Sequence, residues 1–573
     1  MRRDSKTLTT LALVMLFVSF ALAYAVPIGD IDLWWHLAAG KYMVGNGGFP
    51  DQDPFCYPYA LYGITPGREV VVKGYWLSQV IFYSSFALAK NYGPLALRVT
   101  LLLSVLFAIY SAGRRMGAKG SSILLVLIPA GLVATSFTGE RPQLFSFLLA
   151  PVVLYLLDDL RKACSEQSYR AHAKHFILLP AVMLVWANLH PGFIMGTALS
   201  ALFALSEAVQ SAFGKGMTKR PLFIMCAVIG VSIAFSCVSP NTYRSYLDVM
   251  HFEGSLLQQR TSEYLSPITL LLHRGQILFP YWLSLFFTLS VFAVSFRKAD
   301  RTHLLVVVFL AILSLSAFRY IPFFVFITAP LTALYLSRLI EDRIRVRSVL
   351  HGIAVLLAGV VLVLTIRGLP HSLGRTLKHE IDQYRFPEEA ASFLLRHSPS
   401  GNMFNHFSWG GYLIWRLYPH HTVFIDGRTL NLKVFSEYTH ILWKESDAKH
   451  LFDHYGINIV IIPGLNPFTG ELYELAHILQ ADLQWHLVFA DGTAMVFVRG
   501  AGNQDIISRF SRPRTEVYTH VIRSAERMLA SGMQTPHIWL ALERAYREKG
   551  LLYEAMQARE KALGPRGKEF LQE

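Results

Sequence analysis

Apolar residues along this chain are gathered in long blocks that are separated by short polar connections. Many of the blocks are about 20 residues long, the length that a helix needs to cross the hydrocarbon of a bilayer. The pattern predicts eleven membrane-crossing helices, at residues 8–28, 97–113, 121–137, 143–158, 176–189, 193–212, 221–238, 277–296, 303–318, 322–338 and 349–366. The first block is long for a signal peptide and its cleavage site is poor, so we expect it to be retained.

The pattern changes after residue 366, where short apolar runs alternate with turn signals. Runs at residues 422–428, 457–464 and 487–498 read as strands with their turn signals, and the last one turns at Asp491-Gly492, a dipeptide that favours a hairpin. Helical patterns lie between them, at residues 387–396 and 446–455. Residues 367–500 are therefore predicted to form an extracytoplasmic α/β domain.

Residues 515–565 return to a helical pattern. The spacing of a tetratricopeptide repeat is matched by Trp539, Leu542, Tyr546, Gly550, Ala555 and Ala562. We predict a short tetratricopeptide-like helical tail, which caps the preceding domain or docks a protein partner. An amphipathic helical hairpin that has this spacing by chance is the alternative.

Charge gives the orientation in the membrane. The chain is 53% hydrophobic and 16% charged, which excludes an ordinary soluble protein. Its net charge of +14 is concentrated in alternate connections, near residues 2–6, 114–119, 161–174, 215–220, 297–301 and 338–347. The positive-inside rule places these in the cytoplasm, with the N-terminus inside and the C-terminal region outside. We therefore expect a multi-pass protein of a bacterial inner (cytoplasmic) membrane that has no nucleic-acid partner.

The remaining connections carry polar residues to the opposite edge of the membrane. Asp30, Asp32 and His36 follow the first helix together with Trp34 and Trp35. Ionisable groups at the edge of hydrocarbon are costly, and by default they indicate a functional site. More polar groups are expected at the same level, in residues 138–143, 188–192 and 318–322 and in the longer segments 29–96 and 239–276.

The first outer segment carries a family resemblance. Asp30-Ile31-Asp32-Leu33-Trp34-Trp35-His36, followed by Gly40-Lys41-Tyr42 and Pro50-Asp51-Gln52-Asp53-Pro54-Phe55, resembles the first outer loop of GT-C glycosyltransferases. These are multi-spanning enzymes that use polyprenyl-phosphate-linked sugars, such as protein mannosyltransferases and lipid A aminoarabinose transferases. Glu140-Arg141-Pro142-Gln143 falls where the family commonly has a second acidic site. The resemblance implies a polytopic α-helical, GT-C-like transmembrane domain over residues 1–366.

A second resemblance lies in the C-terminal region. Phe407-Ser408-Trp409-Gly410-Gly411-Tyr412, which precedes residues 422–429, is similar to a degenerate Trp-Trp-Asp-Tyr-Gly region of oligosaccharyltransferase catalytic subunits. In that family the motif helps to recognise the acceptor sequon. Because Gly410 and Gly411 replace the second Trp and the Asp, sequon binding is not carried over. A glycan, a lipid and a protein stay open as acceptors.

The expected reaction assigns roles to the carboxylates. Transfer of a sugar from a polyprenyl phosphate needs a base for the acceptor and positive charge for the departing phosphate. Asp32 is the predicted base, and Asp30 either assists it or binds a divalent cation, Mg or Mn. The alternative is that one of these two aspartates is the N-cap of the helix that follows.

Three residues are predicted to hold the donor phosphate. Arg319 and Arg141 suit it because a guanidinium makes bidentate contacts with phosphate, and His190 would orient it. Glu140 is a candidate to bind metal or acceptor, and His36, one turn after Asp32, is a candidate to tune its pKa. The alternatives are snorkelling for the arginines, a structural turn for His190 and a local ion pair between Glu140 and Arg141.

The function that these residues favour is inverting transfer of a hexosyl or pentosyl group to an extracytoplasmic acceptor. The partners would be a polyprenyl-phosphate-sugar donor, membrane lipid and that acceptor. An enzyme like the O-antigen ligases or polymerases is one alternative. A non-catalytic membrane scaffold that recruits partners through its tail is the other.

The alternation of basic connections predicts opposite locations for two positions near the last crossing. Reporter fusions at Arg345 and Phe386 should report the cytoplasm and the exterior respectively. The same location for both would contradict eleven crossings.

Overall fold

The computed structural model describes residues 2–170, 172–247, 262–341, 343–378, 381 and 385–564. The chain divides into two compact units. Unit 1 comprises residues 1–30 and 70–381, and unit 2 comprises residues 31–69 and 382–573. The segment that follows the first helix is therefore divided, since residues 31–69 belong with the C-terminal part of the chain and residues 70–96 with the helices.

Unit 1 is built almost wholly from helices. Three helices interrupt them in sequence. Helices α2 (Leu33–Asn46) and α3 (Tyr59–Tyr62) belong to unit 2, and α4 (Glu69–Lys73) begins at the last residue of the unit 2 segment. The helices of unit 1 are α1 (Arg2–Tyr24), α5 (Trp76–Ala89), α6 (Tyr92–Met116), α7 (Gly120–Thr135), α8 (Gln143–Ser165), α9 (Ala173–Leu189), α10 (Phe193–Ala212), α11 (Lys219–Ser236), α12 (Pro267–Arg274), α13 (Phe279–Ser295), α14 (Arg301–Ser316), α15 (Ile321–Leu339) and α16 (Ile344–Lys378).

Seven helices of the described residues are long and apolar enough to cross a membrane, at Thr7–Tyr24, Tyr92–Met116, Gln143–Ser165, Phe193–Ala212, Lys219–Ser236, Phe318–Leu339 and Ser348–Gly368. Four shorter apolar helices, α7, α9, α13 and α14, fall on the other predicted blocks. Eleven crossings and the orientation of the termini stay predictions.

The core of unit 1 is α15. The apolar segment Phe318–Leu339, which contains α15, is 94% buried, whereas the segment Ser348–Gly368 of α16 is 11% buried. Helix α15 packs against α6, α7, α8, α13 and α14. Small residues let the helices approach closely: a Cβ at Gly131 of α7 would lie 2.2 Å from the Phe20 ring, and Tyr24 of α1 donates a hydrogen bond to the Gly131 carbonyl (3.0 Å). These contacts hold the end of α1, from which the acidic segment emerges.

Unit 2 contains one sheet with helices around it. Its strands are β1 (Asn402–Asn405), β2 (Ile457–Ile462), β3 (His486–Ala490) and β4 (Met495–Val498), in the order β1-β2-β4-β3. β1 and β2 are parallel, and the other two pairs are antiparallel. The remaining helices are α17 (Glu388–His397), α18 (Gly410–Leu417), α19 (Leu432–Trp443), α20 (Glu445–His454), α21 (Glu474–Ala481), α22 (Gln504–Phe510), α23 (Glu516–Ala530), α24 (Pro536–Glu548) and α25 (Leu552–Ala562).

The hairpin at Asp491-Gly492 is present as β3 and β4, and helices occur close to residues 387–396 and 446–455. The strand expected at residues 422–428 is wrong. That segment is a buried loop, in which Val423 makes a single bridge with Cys56. The side chain of Asn405 takes the place of the hydrogen bonds that a partner strand would make with this loop. It accepts from Phe424 N (2.8 Å) and donates to Ile425 O (2.9 Å). A side chain that satisfies backbone groups removes the need for a partner strand.

The tail consists of α23, α24 and α25, each packed on the next. Leu542, Ala555 and Ala562, three positions of the predicted repeat, are buried. Gly550 has φ +76° in the turn between α24 and α25, a conformation that favours glycine. The tetratricopeptide assignment stays a prediction, and residue 565 of its predicted range lies outside the described residues.

Gly410 and Gly411 permit a close approach that larger residues would prevent. A Cβ at Gly410 would lie 2.1 Å from Ile425 O, and one at Gly411 would lie 2.8 Å from Ile31 O. Helix α18 therefore packs directly against α2 and the buried loop. This packing leaves no room for the side chain of a Trp or an Asp at positions 410 and 411.

We expect Gly410→Ala to destabilise unit 2 by about 1–3 kcal/mol, because backbone must move to admit the methyl group. Gly45→Ala is the matched control: Gly45 lies in α2 of the same unit, and a Cβ there would meet nothing within 4 Å. Thermal unfolding of both purified variants measures the difference. Equal unfolding temperatures would contradict the close packing of α18.

Candidate active site

Asp30 and Arg141 form an ion pair at the end of unit 1 where α1 ends and α8 begins. Arg141 Nε lies 2.6 Å from Asp30 Oδ2, and Arg141 Nη1 lies 2.7 Å from Glu263 Oε1. The side chain of Asp30 is only 8% exposed. A Cβ at residue 139 would lie 2.2 Å from Asp30 Oδ2, so a larger residue here would displace the Asp30 carboxylate. Glu263 is in the outer segment 239–276 and has no motif that predicts a role for it; residues 248–261 of that segment lie outside the described residues.

Glu140 pairs with Arg98, not with Arg141, so the alternative of a local ion pair between Glu140 and Arg141 is wrong. Both side chains are fully buried. Arg98 also donates to the carbonyls of Val26 and Thr138, the latter at 3.1 Å. Sequence reasoning missed Arg98, because it lies inside an apolar block and its partners are in other segments.

The surroundings of Glu140 raise the pKa of its carboxyl group. Burial raises the pKa of Glu140 from its ordinary value of 4.5 to about 7; Arg98 opposes the shift and the negative charge of Asp30 adds to it. Glu140 Oε2 is buried and has no hydrogen-bond partner among the described residues. Its carboxyl group is therefore poised to exchange a proton near neutral pH.

Arg319 is held by aromatic rings. Its guanidinium lies 4.8 Å from the centre of the Tyr264 ring and 5.8 Å from that of Tyr320, and it donates a hydrogen bond to the Tyr264 hydroxyl. No carboxylate of the described residues lies within ion-pair distance of it. Arg319 therefore offers positive charge that no neighbouring carboxylate neutralises directly.

His190 ends α9 and is neutral. Its Nδ1 accepts a hydrogen bond from Gly192 N (2.9 Å) and lies 2.8 Å from Ser146 Oγ. Burial, together with the positive charge of the nearby Arg319, lowers the pKa of His190 to about 3. Because Nδ1 is an acceptor here, the proton is on Nε2. His190 can thus donate one hydrogen bond to an anion but cannot attract it as a cation.

Unit 1 thus gathers Asp30, Glu140 and Arg141 in one cluster and brings Arg319 close to His190. Glu263 connects the groups, since it pairs with Arg141 and interacts electrostatically with Arg319.

Asp32 and His36 belong to unit 2. Asp32 occupies the N-cap position of α2, but its side chain caps no backbone N–H; its carboxylate accepts from the indole Nε1 of Trp35 (3.1 Å). A Cβ at Gly427 would lie 2.3 Å from Asp32 Oδ1, so a larger residue here would displace this carboxylate. His36 is buried, with its ring centre 3.5 Å from that of Trp35.

A buried charge cluster near Asp32 was not expected from the sequence. Arg428 binds Asp426 through Nε (3.0 and 2.9 Å) and also pairs with Asp53. Burial alone would lower the pKa of Arg428, but Asp426 and Asp53 raise it well above its usual value. The Cys56 thiol donates to Asp426 Oδ2 (3.3 Å), and burial raises its pKa, so it stays protonated. Asp53 and Arg428 are 375 residues apart in sequence, a separation that no motif spacing bridges.

The raised pKa of Glu140 predicts a pH dependence of stability. The folded state binds this proton more tightly than the unfolded state, so the stabilising contribution is complete below pH 4.5 and is lost as the pH rises to about 7. Its size is on the order of a few kcal/mol. Glu140→Gln should flatten the dependence of the unfolding temperature on pH between 5 and 8.

Glu166→Gln, which changes an exposed glutamate just beyond the other end of α8, is the control and should retain the wild-type slope. An unchanged slope in the Glu140 variant would show that this carboxyl does not titrate in that range.

No family model matches the chain, and no curated protein matches it. Solved structures do. Archaeal oligosaccharyltransferase AglB from Archaeoglobus fulgidus, in complex with an inhibitory peptide and a dolichol-phosphate, is 10% identical; the match covers 96% of this chain and 83% of that one, with a TM-score of 0.54.

The Archaeoglobus fulgidus oligosaccharyltransferase in complex with Zn and sulfate is 12% identical, with 97% and 84% covered and a TM-score of 0.51. ArnT from Cupriavidus metallidurans in the apo state is 14% identical, with 88% and 98% covered and a TM-score of 0.49. The similarity to the oligosaccharyltransferase extends over almost the whole chain. The chain therefore has the fold of the archaeal oligosaccharyltransferase, in agreement with the GT-C-like fold that its motifs predict.

Proposed function

We propose that this protein is a membrane glycosyltransferase that moves a sugar from a polyprenyl-phosphate carrier to an extracytoplasmic acceptor. The observation that carries the proposal is the cluster of carboxylates and guanidiniums at one end of the apolar helices of unit 1. A lipid-linked phosphate lies at such a level, because its tail stays in hydrocarbon while its charge stays at the interface. The GT-C fold supports the proposal, and the similar archaeal enzyme has been solved with a dolichol-phosphate.

Arg319 is the principal ligand of the donor phosphate in this proposal. Arg141 already pairs with Asp30 and Glu263, so an arriving phosphate must compete with two carboxylates. Arg319 is oriented by Tyr264 and has no such competitor among the described residues. A guanidinium held on an aromatic ring keeps its N–H groups available for phosphate oxygens. Arg141 and the Nε2–H of His190 are assigned secondary contacts.

Asp32 is the proposed base. Asp30 is bound to the guanidinium of Arg141, whereas the carboxylate of Asp32 accepts from the neutral Trp35 indole. In the reaction, the acceptor nucleophile gives its proton to Asp32 and forms a bond to the anomeric carbon. The bond from that carbon to the phosphate oxygen breaks, and the leaving polyprenyl phosphate takes the electron pair. Inversion at the anomeric carbon follows from this single displacement. His36 is retained as a proposed modulator of Asp32.

A divalent cation also fits the cluster. The buried Glu140 Oε2, which has no hydrogen-bond partner among the described residues, is an oxygen that Mg or Mn would bind, with Asp30 as the neighbouring carboxylate. When bound, the ion would supply positive charge toward the phosphate. The chain's own residues bind the phosphate, orient the acceptor and accept its proton.

Asp32→Asn tests the proposal. The amide keeps the size of the side chain and its acceptor for Trp35 but cannot accept the proton, so turnover should fall about 10²–10⁴-fold. Transfer from labelled polyprenyl-phosphate sugars by protein reconstituted in vesicles is the measurement. Asp51→Asn, a change of an exposed aspartate in the same segment, should keep wild-type turnover.

Full activity of the Asp32 variant would transfer the role of the base to Asp30 or Glu140. If the wild-type protein transferred no sugar from any such donor, the scaffold alternative would replace the enzyme.

A further inference from the structure

A cluster of metal-binding residue types joins α8 to α9, and the proposed reaction does not use it. Asp159 lies in the last two turns of α8, His172 precedes α9, and His175 lies in the first turn of α9. Asp159 Oδ2 is 2.7 Å from His172 Nδ1 and 2.5 Å from His175 Nδ1. One ligand atom from each residue lies within 4.8 Å of the others. We call these three residues the α8–α9 site.

His175 provides an independent indication of a ligand. Its side chain is 7% exposed, and its Nδ1 makes no hydrogen bond with any described residue although the carboxylate is so close. The Nδ1 atoms of His172 and His175 thus both lie close to Asp159 Oδ2. The Nδ1 of His172 is placed to form a hydrogen bond with it, and the Nδ1 of His175 is not. Buried polar atoms are normally satisfied, so such an atom needs an explanation.

The charge balance around Asp159 also favours a bound cation. The adjacent Asp158 is surrounded by Arg161 (3.1 Å), Lys162 (2.7 Å) and His303 (3.0 Å). Asp159 has no Lys or Arg of the described residues within ion-pair distance, and its ion-pair partners are the two histidines. Two neutral histidines would leave its negative charge unpaired, and a divalent cation would neutralise it.

We propose that the α8–α9 site binds Zn²⁺. Two imidazole nitrogens and one carboxylate oxygen are ligands that zinc prefers, and three protein ligands leave a fourth tetrahedral position for water. Zinc at about 2.1 Å from each ligand separates the ligands by about 3.4 Å, so Asp159 must move outward by less than about 1 Å. His172 is 25% exposed, which gives the ion an entrance.

The α8–α9 site is distinct from the candidate active site. Glu140 and His190 lie beside the N-terminus of α8 and the C-terminus of α9, whereas the α8–α9 site lies at the opposite ends of the same two helices. Asp159 is 16 residues beyond Gln143, or about 24 Å along the helix. An ion there cannot contact the sugar. It ties the two helices together at the turn between them.

Cobalt and zinc titrations test the α8–α9 site. Full-length, tag-free protein in detergent is stripped with a chelator and titrated with Co²⁺, whose visible absorption reports imidazole and carboxylate ligands, and Zn²⁺ is then added in competition. In the wild-type protein the α8–α9 site should contribute one equivalent that zinc displaces, in addition to any ion bound at Glu140 and Asp30, and zinc should raise the unfolding temperature. His172→Ala with His175→Ala should lose that equivalent and the shift.

Two controls keep the test specific. His450→Ala with His454→Ala removes a histidine pair from the exposed face of α20, and Glu140→Gln removes the carboxylate of the candidate active site; both should retain the equivalent. Loss of the cobalt spectrum in either control, or its retention in the His172/His175 variant, would overturn the proposal. If the double variant fails to fold, His172→Gln is used instead, because His172 lies outside the helix. This variant should bind cobalt at least tenfold more weakly. Unchanged binding would overturn the proposal.

Discussion

A guanidinium buried among apolar helices must find all of its partners within the protein, because no water is available to solvate it. Arg98 of α6 meets most of this requirement through Nη1 and Nη2, which contact the carbonyl of Val26, the carbonyl of Thr138 and the carboxylate of Glu140. Its buried Nε has no hydrogen-bond partner among the described residues. These partners belong to the segment that follows α1 and to the connection between α7 and α8. A single charge therefore fixes both segments, and with them Asp30 and Arg141, whose ion pair lies beside it.

Unit 2 uses the same principle with a different pairing. Arg428 joins Asp426, its neighbour in the chain, to Asp53 from the segment near residue 50, and the apolar packing around it is completed by close backbone contacts at Gly410 and Gly411. Asp32 lies against Gly427 in the same region. Breaking a buried pair of this kind is costly, since the remaining charge is left without compensation. The carboxylate proposed as the base thus lies beside a buried, ion-paired part of unit 2.

Elements with a strong local signal could be predicted from the sequence. The apolar blocks that became helices have the length and hydropathy of membrane helices, and the hairpin at Asp491-Gly492 follows from turn chemistry. The buried loop at residues 422–428 was mistaken for a strand, since an apolar run of that length fits either structure until its hydrogen-bond partners are known. The partners of Glu140 and Arg428 could not be predicted at all. Both pairings join distant segments, and no spacing rule relates Arg98 to Glu140 or Asp53 to Arg428.

The Asn405 side chain has a consequence for the sheet as a whole. Because Asn405 binds the backbone of Phe424 and Ile425, the short outer strand β1 already has a covering segment at one edge. At the other edge, Arg512 donates its backbone N–H to the Leu487 carbonyl of β3 (2.8 Å) and its side chain to Ala490 (3.3 Å). Protected edges resist pairing with an added strand, both in aggregation and in peptide capture. A substrate that reaches this domain must therefore be recognised by loops and side chains, and not by extension of the sheet.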